Sequence, residues 1–244
     1  IKGTGKADTF TIASSGQGNS DVLDGAGGAD TLKLSTGSHV FASDANFTNI
    51  ETVLANSAGS SINLSAQTEG FTITGLTGID VIRGGKGNDI ITSDGAYDVL
   101  FGGDGDDSIT GRADNDELTG GAGADTFNID SGSDTITDMS ATDILVISAG
   151  ATVNGTISAN YTATGATTNA GTANLTIGTG GLSVDMGLAG GSAGFNIIGS
   201  SGTDTIKGTG KADTFTIASS GQGNSDVLDG AGGADTLKLS TGSH

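Results

Sequence analysis

Residues 75–146 divide without a gap into blocks of nine, which read GLTGIDVIR, GGKGNDIIT, SDGAYDVLF, GGDGDDSIT, GRADNDELT, GGAGADTFN, IDSGSDTIT and DMSATDILV. The sixth position is always aspartate: Asp80, Asp89, Asp98, Asp107, Asp116, Asp125, Asp134 and Asp143. The eighth is always large and apolar: Ile82, Ile91, Leu100, Ile109, Leu118, Phe127, Ile136 and Leu145. A period of nine is neither the helical period of about 3.6 nor the two-residue period of one long strand. It predicts a turn of about six residues and a strand of about three, repeated, with one side chain per strand pointing inward.

Two such blocks complete one coil of a flattened spiral, so positions 18 apart lie above one another, about 4.8 Å away. The pattern therefore predicts an all-β fold, a parallel β-roll or β-solenoid. One edge of the roll is expected to carry Asp80, Asp98, Asp116 and Asp134, and the other edge Asp89, Asp107, Asp125 and Asp143.

These two columns of carboxylates indicate a bound cation. Carboxylates about 5 Å apart repel by roughly 1 kcal/mol per pair even in water. The chain has only nine Lys and Arg, and just Arg83, Lys86 and Arg112 fall in or beside this stretch. It has no Cys and only two His, so the ligands are oxygens, which favours several Ca²⁺ ions.

The blocks resemble the calcium-binding nonapeptide GGxGxDxUx of RTX (repeats-in-toxin) proteins, where U is a large apolar residue. Its first six positions are matched in full by GGKGND (84–89), GGDGDD (102–107) and GGAGAD (120–125). The resemblance implies a parallel β-roll whose turns hold Ca²⁺ between adjacent coils through Asp carboxylates and backbone carbonyls. Besides the aspartates, the turn positions carried over as candidate ligands are Gly84, Lys86, Gly102, Asp104, Gly120 and Ala122.

The opposite edge departs from the family pattern, because SDGAYD, GRADND and IDSGSD lose most of their glycines. Extra acids at Asp94, Asp114 and Asp130 are candidate side-chain ligands there. We therefore expect better ordered sites at 84–89/102–107 and 102–107/120–125, and weaker or missing ions opposite.

Residues 1–39 recur identically as residues 206–244, so the chain reads as one 205-residue repeat and the beginning of the next. A window cut from a tandem array explains this, and an engineered duplication is the alternative. Weaker copies of the block near the junction add candidate ligands at Asp204, Asp213, Asp226 and Asp235, with a four-residue interruption before the last two, and at Asp8, Asp21 and Asp30 in the first copy. Because this cluster crosses the boundary, the roll is expected to run on from one repeat to the next.

Two segments lack the metal pattern. Residues 39–74 contain alternating pieces that predict short strands, and they are similar to linking segments of calcium-dependent bacterial surface-layer proteins and giant RTX adhesins. Residues 147–198 are interpreted as metal-free strands, in further coils or a small sandwich, with disorder as the competing interpretation. The predicted organisation is roll turns at 1–38, a linking segment at 39–74, the regular nonapeptide roll at 75–146, the metal-free segment at 147–198, and roll plus the start of the next repeat at 199–244.

Composition excludes several functional classes. The 28 acids against nine bases give a formal charge of −19, which repels phosphate backbones and argues against nucleic acid as a partner. No apolar run approaches the roughly 18 residues of a membrane span. Without Cys or a GxSxG motif, the sequence offers no nucleophile–base pair, so we do not expect an enzyme.

These features predict a structural, calcium-dependent extracellular protein of the bacterial cell surface, part of a surface layer, fibre or adhesin stalk. The acidic chain is expected to stay expanded without calcium, which suits type I secretion, and to fold on binding calcium outside the cell. Self-association into an array, lattice or filament is expected, and a cell-surface polysaccharide is a candidate partner.

Two alternatives stay open. One is the secretion module of an RTX enzyme. The other is a ligand- or ice-binding adhesin module, which needs a flat repeating face; the Thr-x-Thr pieces at 9–11 and 72–74 are judged too few and out of register for it.

Overall fold

The structure, a computed structural model, describes residues 1–12, 22–56, 58–217 and 225–240. Asp21, one of the candidate ligands, lies outside the described residues. The chain forms two compact units, Ile1–Asp125 and Thr126–His244. Both are all-β, as predicted, and the one helical element among the described residues is the 3₁₀ turn Asp44–Asn46. Nowhere in those residues is there a helix of the length and apolarity needed to cross a bilayer.

The first unit consists of short parallel strands wound into a solenoid. They are β1 (Thr9–Ile12), β2 (Leu23–Asp24), β3 (Thr31–Leu34), β4 (Gly37–Val40), β5 (Phe47–Thr48), β6 (Thr52–Leu54), β7 (Ser60–Asn63), β8 (Thr72–Thr74), β9 (Val81–Arg83), β10 (Ile90–Thr92), β11 (Val99–Asp104), β12 (Ser108–Thr110) and β13 (Glu117–Ala122). One sheet runs β1-β3-β6-β8-β10-β12, a second runs β4-β7-β9-β11-β13, and β2 pairs with β5.

Coils of 18 residues are present where the nonapeptide blocks predict them. β9 aligns with β11, β11 with β13, and β10 with β12, so that residues 18 apart face each other. Three-residue strands are found at β9, β10 and β12, as predicted. The predicted strand length is wrong for β11 and β13, which have six residues, because Gly103 and Asp104 pair with Gly121 and Ala122 and extend the ladder into the turns.

One apolar side chain per half-coil fills the interior. The eighth-position residues of the first unit are fully buried and stack on their equivalents one coil away: Ile82, Leu100 and Leu118 on one sheet, and Ile91 and Ile109 on the other. Burying each such side chain contributes roughly 1.5–3 kcal/mol. A thin core is thus stabilised by repetition along the roll.

Residues 39–74 form coils of the same solenoid. β6 pairs with β3 and β8, and β7 pairs with β4 and β9. These coils exceed 18 residues, and three stacked rings fill the larger interior, with centroids 4.7 Å apart for Phe41 and Phe47 and 5.4 Å apart for Phe47 and Phe71. The turns absorb the extra length, so the strands keep their alignment.

One consequence concerns the Thr-x-Thr pieces. Thr9, Thr31, Thr52 and Thr72 lie in one column across β1, β3, β6 and β8. The expectation that the pieces at 9–11 and 72–74 are out of register is therefore wrong. Counting residues could not show this, because the intervening coils differ in length.

The second unit is built in the same way. Its strands are β14 (Thr126–Ile129), β15 (Ser133–Met139), β16 (Ile144–Ile147), β17 (Thr152–Ile157), β18 (Tyr161–Thr162), β19 (Thr168–Asn169), β20 (Thr172–Ile177), β21 (Ser183–Asp185), β22 (Gly190–Gly191), β23 (Asn196–Ile198), β24 (Thr205–Lys207), β25 (Thr214–Ile217), β26 (Val227–Asp229) and β27 (Thr236–Leu239). The sheets run β14-β16-β19-β22, β15-β17-β20-β23-β25-β27 and β18-β21-β24-β26.

Residues 147–198 form further coils rather than a sandwich. β17 pairs in parallel with β15 and β20, and β20 pairs with β23. Val153, Leu175 and Ile197 of these strands are fully buried. The apolar pieces that looked sparse in sequence therefore supply the inward side chains of these strands.

The repeat junction has longer coils than the nonapeptide stretch. β25 pairs with β27, and β24 with β26, at an offset of 22 residues. β1 and β3 of the first copy pair at the same offset. The excess over 18 matches the four residues that interrupt the blocks, Ile217 to Ser220.

Candidate metal centre

The sixth-position aspartates form hydrogen-bonded columns in the first unit. The amide of Asp89 donates to Oδ1 of Asp107 (2.7 Å), and the amide of Asp107 donates to Oδ1 of Asp125 (2.9 Å). On the other edge, the amide of Asp80 donates to Asp98 (2.7 Å), and that of Asp98 to Asp116 (2.8 Å). We call these sets the Asp107 column (Asp89, Asp107, Asp125) and the Asp98 column (Asp80, Asp98, Asp116). The predicted stacking is confirmed here, and all six residues are buried.

On the edge of the Asp107 column, glycine at the first position of the turn (Gly84, Gly102 and Gly120) makes room for the carboxylate. The amide of Gly85 donates to Oδ2 of Asp89 (2.6 Å), which closes the turn. A Cβ on Gly84 would lie 2.3 Å from that Oδ2 and 2.3 Å from the carbonyl oxygen of Gly102 in the next coil. Only glycine at this position lets a carboxylate and a neighbouring carbonyl approach together.

The turns of adjacent coils also pack backbone to backbone. Gly103 has φ +128° and Gly121 has φ +105°, both in the region that favours glycine. A Cβ on Gly103 would lie 2.1 Å from the carbonyl oxygen of Gly85, and one on Gly121 would lie 2.0 Å from that of Gly103. Carbonyl oxygens are thereby brought against the next turn beside the Asp107 column.

Burial disfavours the ionised form of these carboxylates and so raises their pKa values. It raises the pKa of Asp107 to about 7, with the charges of Asp89 and Asp125 adding to the effect. Burial likewise raises the pKa of Asp89 and of Asp80 to about 6, and it raises the pKa of Asp98. A cation beside them would restore ionisation.

The donor set fits a calcium ion. Oδ2 of Asp107 is buried without a hydrogen-bond partner, as are Oδ2 of Asp30 and of Asp226. Among the described residues, no three His, Cys, Asp or Glu side chains gather as a metal-binding group. The oxygens on offer are carboxylates and backbone carbonyls, and such hard oxygen donors are what Ca²⁺ prefers.

The residues that would hold calcium on this edge are the Asp107 column and the carbonyls of its turns. The Ala122 carbonyl already accepts the amide of Gly105 (2.8 Å), so it bridges two turns. The remaining sequence-predicted turn positions lie along the same edge: Gly84, Lys86, Gly102, Asp104 and Gly120.

The opposite edge is organised differently. Its turns place non-glycine residues at positive φ: Ala96, Arg112 and Asp114. Oδ2 of Asp114 accepts the amide of Ala96 (2.9 Å), and Asp94 lies 3.9 Å from the Arg112 guanidinium. These two acids thus already have partners within the protein. Their role as extra calcium ligands, and that of Asp130, stays a prediction.

In the second unit, too, the amide of a candidate aspartate donates to the carboxylate of its equivalent one coil away, but the coil is longer. The amide of Asp204 donates to Asp226 (2.9 Å), and that of Asp213 to Asp235 (3.0 Å). Asp134 and Asp143 are buried, and Oδ2 of Asp143 accepts the amide of Ser140 (2.7 Å). In the first copy, the amide of Asp8 donates to Asp30 (2.7 Å).

One member of these columns was missed from the sequence. The amide of Asp30 donates to Oε2 of Glu51 (2.7 Å), so a glutamate takes the aspartate's place in the next coil. The signal was present, because Glu51 precedes Thr52-Val53 as Asp30 precedes Thr31-Leu32. The longer side chain and longer coil hid it from a nine-residue frame.

Comparison with protein families matches the chain to the RTX calcium-binding nonapeptide repeat (4 copies), at residues 15–37, 72–100, 101–136, 191–216 and 218–242. These stretches make up more than half of the chain. A search of curated proteins finds no match.

Proposed function

Because the chain belongs to the family of RTX calcium-binding nonapeptide-repeat proteins, which bind several calcium ions per repeat array, we propose that it is a structural component of a bacterial surface layer, fibre or adhesin stalk. It acts outside the cell and reaches its place by secretion in an unfolded state. The proposal extends the calcium-binding β-roll character that the family match establishes.

The repeated coil carries the proposal. Residues 1–39 and 206–244 are identical, and β1–β3 and β25–β27 pair in the same register. A unit that reproduces its own coil can be joined to further copies without a new interface, because each coil contacts only its neighbours. An array benefits from such repetition, whereas a catalytic site does not, and we propose no catalytic role.

Folding and calcium binding are linked through the aspartates. Bound calcium supplies positive charge between buried carboxylates. In the unfolded chain the turns are not assembled, so binding free energy becomes folding free energy. Without calcium the formal charge of −19 favours an expanded chain, which suits passage through a narrow secretion channel.

The test follows folding and assembly together. Circular dichroism near neutral pH, with and without chelator, should show strand structure only with calcium. Electron microscopy and sedimentation of a chain of several joined repeats should then show extended particles or lattices with calcium. Equal folding in both conditions would refute calcium-gated folding, and isolated compact particles at all concentrations would refute the array.

A ligand-binding face is a second candidate, favoured by one observation in the second unit. Thr152, Asn154 and Thr156 of β17 align with the same triplet on β20, Thr172, Asn174 and Thr176. The side-chain amide of Asn174 donates to Asn154 (3.0 Å), and that of Asn196 donates to Asn174 (2.9 Å). This uncharged face repeats at about 4.8 Å across strands and about 6.6 Å along them, which favours ordered water as the ligand.

Ice recrystallisation assays separate this candidate from the first. The wild-type chain should slow ice growth, and Thr176→Lys should abolish the effect by placing a charge on the face. Thr162→Lys, at an exposed position on β18 in a different sheet of the same unit, is the matched control and should have no effect. An inactive wild-type chain removes this candidate.

A further inference from the structure

A groove lies on the outer surface of the first unit, where β9 and β11 enter their glycine-rich turns. Its volume is about 320 Å³, at the lower end of the range for small-ligand pockets. Arg83, Lys86, Phe101, Asp104 and Ser65 contribute its side chains, and glycines of the turns form the rest of the wall. We call it the Arg83 groove.

Two cations face this groove without an anionic partner. The ion pairs among the described residues are Lys2–Asp24, Arg112–Asp94 and Lys207–Asp185, so neither Arg83 nor Lys86 forms one in that part of the chain. The chain has 28 acids for nine bases, so unpaired cations side by side are unexpected. Their positive charge is available to an anion from outside.

The Arg83 guanidinium is oriented by stacking on Phe101. Its central carbon lies 3.7 Å from the ring centroid of Phe101, well within cation–π range. This stacking fixes the plane of Arg83 and leaves its N–H edge for a carboxylate, which it can bind through two parallel hydrogen bonds. The amide of Lys86 donates to the Gln67 carbonyl (2.9 Å), which fixes the backbone that carries the ammonium group.

The other side chains suit hydroxyl groups. The Asp104 carboxylate accepts hydrogen bonds, and the Ser65 hydroxyl both donates and accepts them. The amide of Asp104 donates to the Gly85 carbonyl (3.1 Å), so its position is tied to the preceding turn. The glycine wall carries no side chains, so a sugar ring can approach the backbone closely.

We propose that the Arg83 groove binds an acidic sugar, a uronate unit of a saccharide, with the carboxylate at Arg83 and Lys86 and the ring hydroxyls at Asp104 and Ser65. A simple anion would leave the hydroxyl-binding side unused, and a neutral sugar would leave both cations unpaired. The inference rests on the proposed extracellular role for where such a saccharide is met, and otherwise on the groove alone.

Isothermal titration of the calcium-loaded chain with glucuronate tests this proposal. Acetate probes the cationic side of the groove alone, and glucose probes the hydroxyl-binding side alone. Glucuronate should bind at least about tenfold more tightly than either, because only it uses both sides of the groove. Arg83→Gln should weaken glucuronate binding by about tenfold, and Arg83→Lys, which keeps the charge but not the planar fork, by less. Lys33→Gln removes a charge from an exposed position on β3 and should leave binding unchanged.

Circular dichroism of each variant in calcium keeps the outcome interpretable. If folded Arg83→Gln and Arg83→Lys bind glucuronate as the wild type does, or if acetate or glucose binds as tightly, the proposal is wrong. An equal loss in Lys33→Gln would reveal attraction by net charge alone and would overturn it too. Glucuronate binding by a folded single chain that forms no array would support the groove while refuting the array.

Discussion

Each sixth-position aspartate has two tasks that compete for its oxygens. Oδ1 of Asp107 accepts the amide of Asp89 and so joins two coils, while its Oδ2 is buried without a hydrogen-bond partner. In Asp89 both oxygens are engaged, by the amides of Phe71 and Gly85. Stacking and ligation therefore share one carboxylate, which explains why the residue is aspartate and not asparagine or serine.

Replacing Asp107 should weaken calcium binding more than replacing Asp98 does. Asp107→Asn keeps an oxygen for the Asp89 amide but removes the charge from the column whose turns match the family pattern on both sides. We expect calcium binding weakened by about tenfold or more and fewer ions at saturation, with a smaller effect for Asp98→Asn. Calcium titration with a chromophoric chelator measures both. Equal losses in the two variants would contradict the predicted difference between the edges.

At the scale of the coil, close approach of backbones sets which changes are tolerated. The strands align by their buried eighth positions, and the turns absorb differences in length, as at the 22-residue coils of the junction. In the nonapeptide stretch the turns themselves are paired, because β11 and β13 extend into them. The glycines of these paired turns therefore leave no room for a side chain.

Gly103→Ala tests that statement. The added methyl would meet the Gly85 carbonyl at 2.1 Å, and φ +128° is strained for alanine, so we expect a loss of roughly 2 kcal/mol or more in the free energy of unfolding. Gly27→Ala is the matched control, because nothing lies within 4 Å of its Cβ and its φ is not in that region. It should be neutral or slightly stabilising. Denaturant unfolding in saturating calcium measures both, and a tolerated Gly103→Ala would contradict the close packing of these turns.

At the scale of the whole molecule, the negative charge of the chain opposes folding. The formal charge is −19, and the aspartates that hold coils together are buried where ionisation is unfavourable. Two agents can relieve this: a cation that compensates the charge, or a proton that removes it. Calcium and acid should therefore act in the same direction on the fold, while competing for the same carboxylates.

Without calcium, the fold should be favoured by acid. The pKa of Asp107 rises from 3.8 to about 7, and those of Asp80 and Asp89 rise to about 6, so the folded chain binds more protons than the unfolded chain between these values. This stabilisation is fully present below about pH 4 and is lost as pH rises through 6 to 7. Circular dichroism of the chelated chain should show strand content increasing from pH 7 to pH 4. An unchanged spectrum would contradict the raised pKa values.

The same linkage sets the pH dependence of calcium binding. Because protons compete with calcium for the carboxylates below pH 6 to 7, more calcium should be needed to half-saturate the sites at pH 5 than at pH 8. A titration that measures bound calcium at both values checks the direction. A midpoint that is independent of pH would show that the buried aspartates are not the ligands.

The amino-acid sequence by itself determined the β-roll, the 18-residue coil, the inward eighth positions and the two aspartate columns of the first unit. These follow from a local period of nine, in which every block repeats the same choice of turn glycine, aspartate and apolar residue. The tertiary structure alone decided the rest. The hydrogen bonds between aspartates and amides, the place of Glu51 beside Asp30, the shared register of the Thr-x-Thr pieces and the stacking of Arg83 on Phe101 all join residues 18 or more apart. Such contacts depend on the length of each intervening coil, which varies through turns that carry no period, and so they become visible only when the chain is wound.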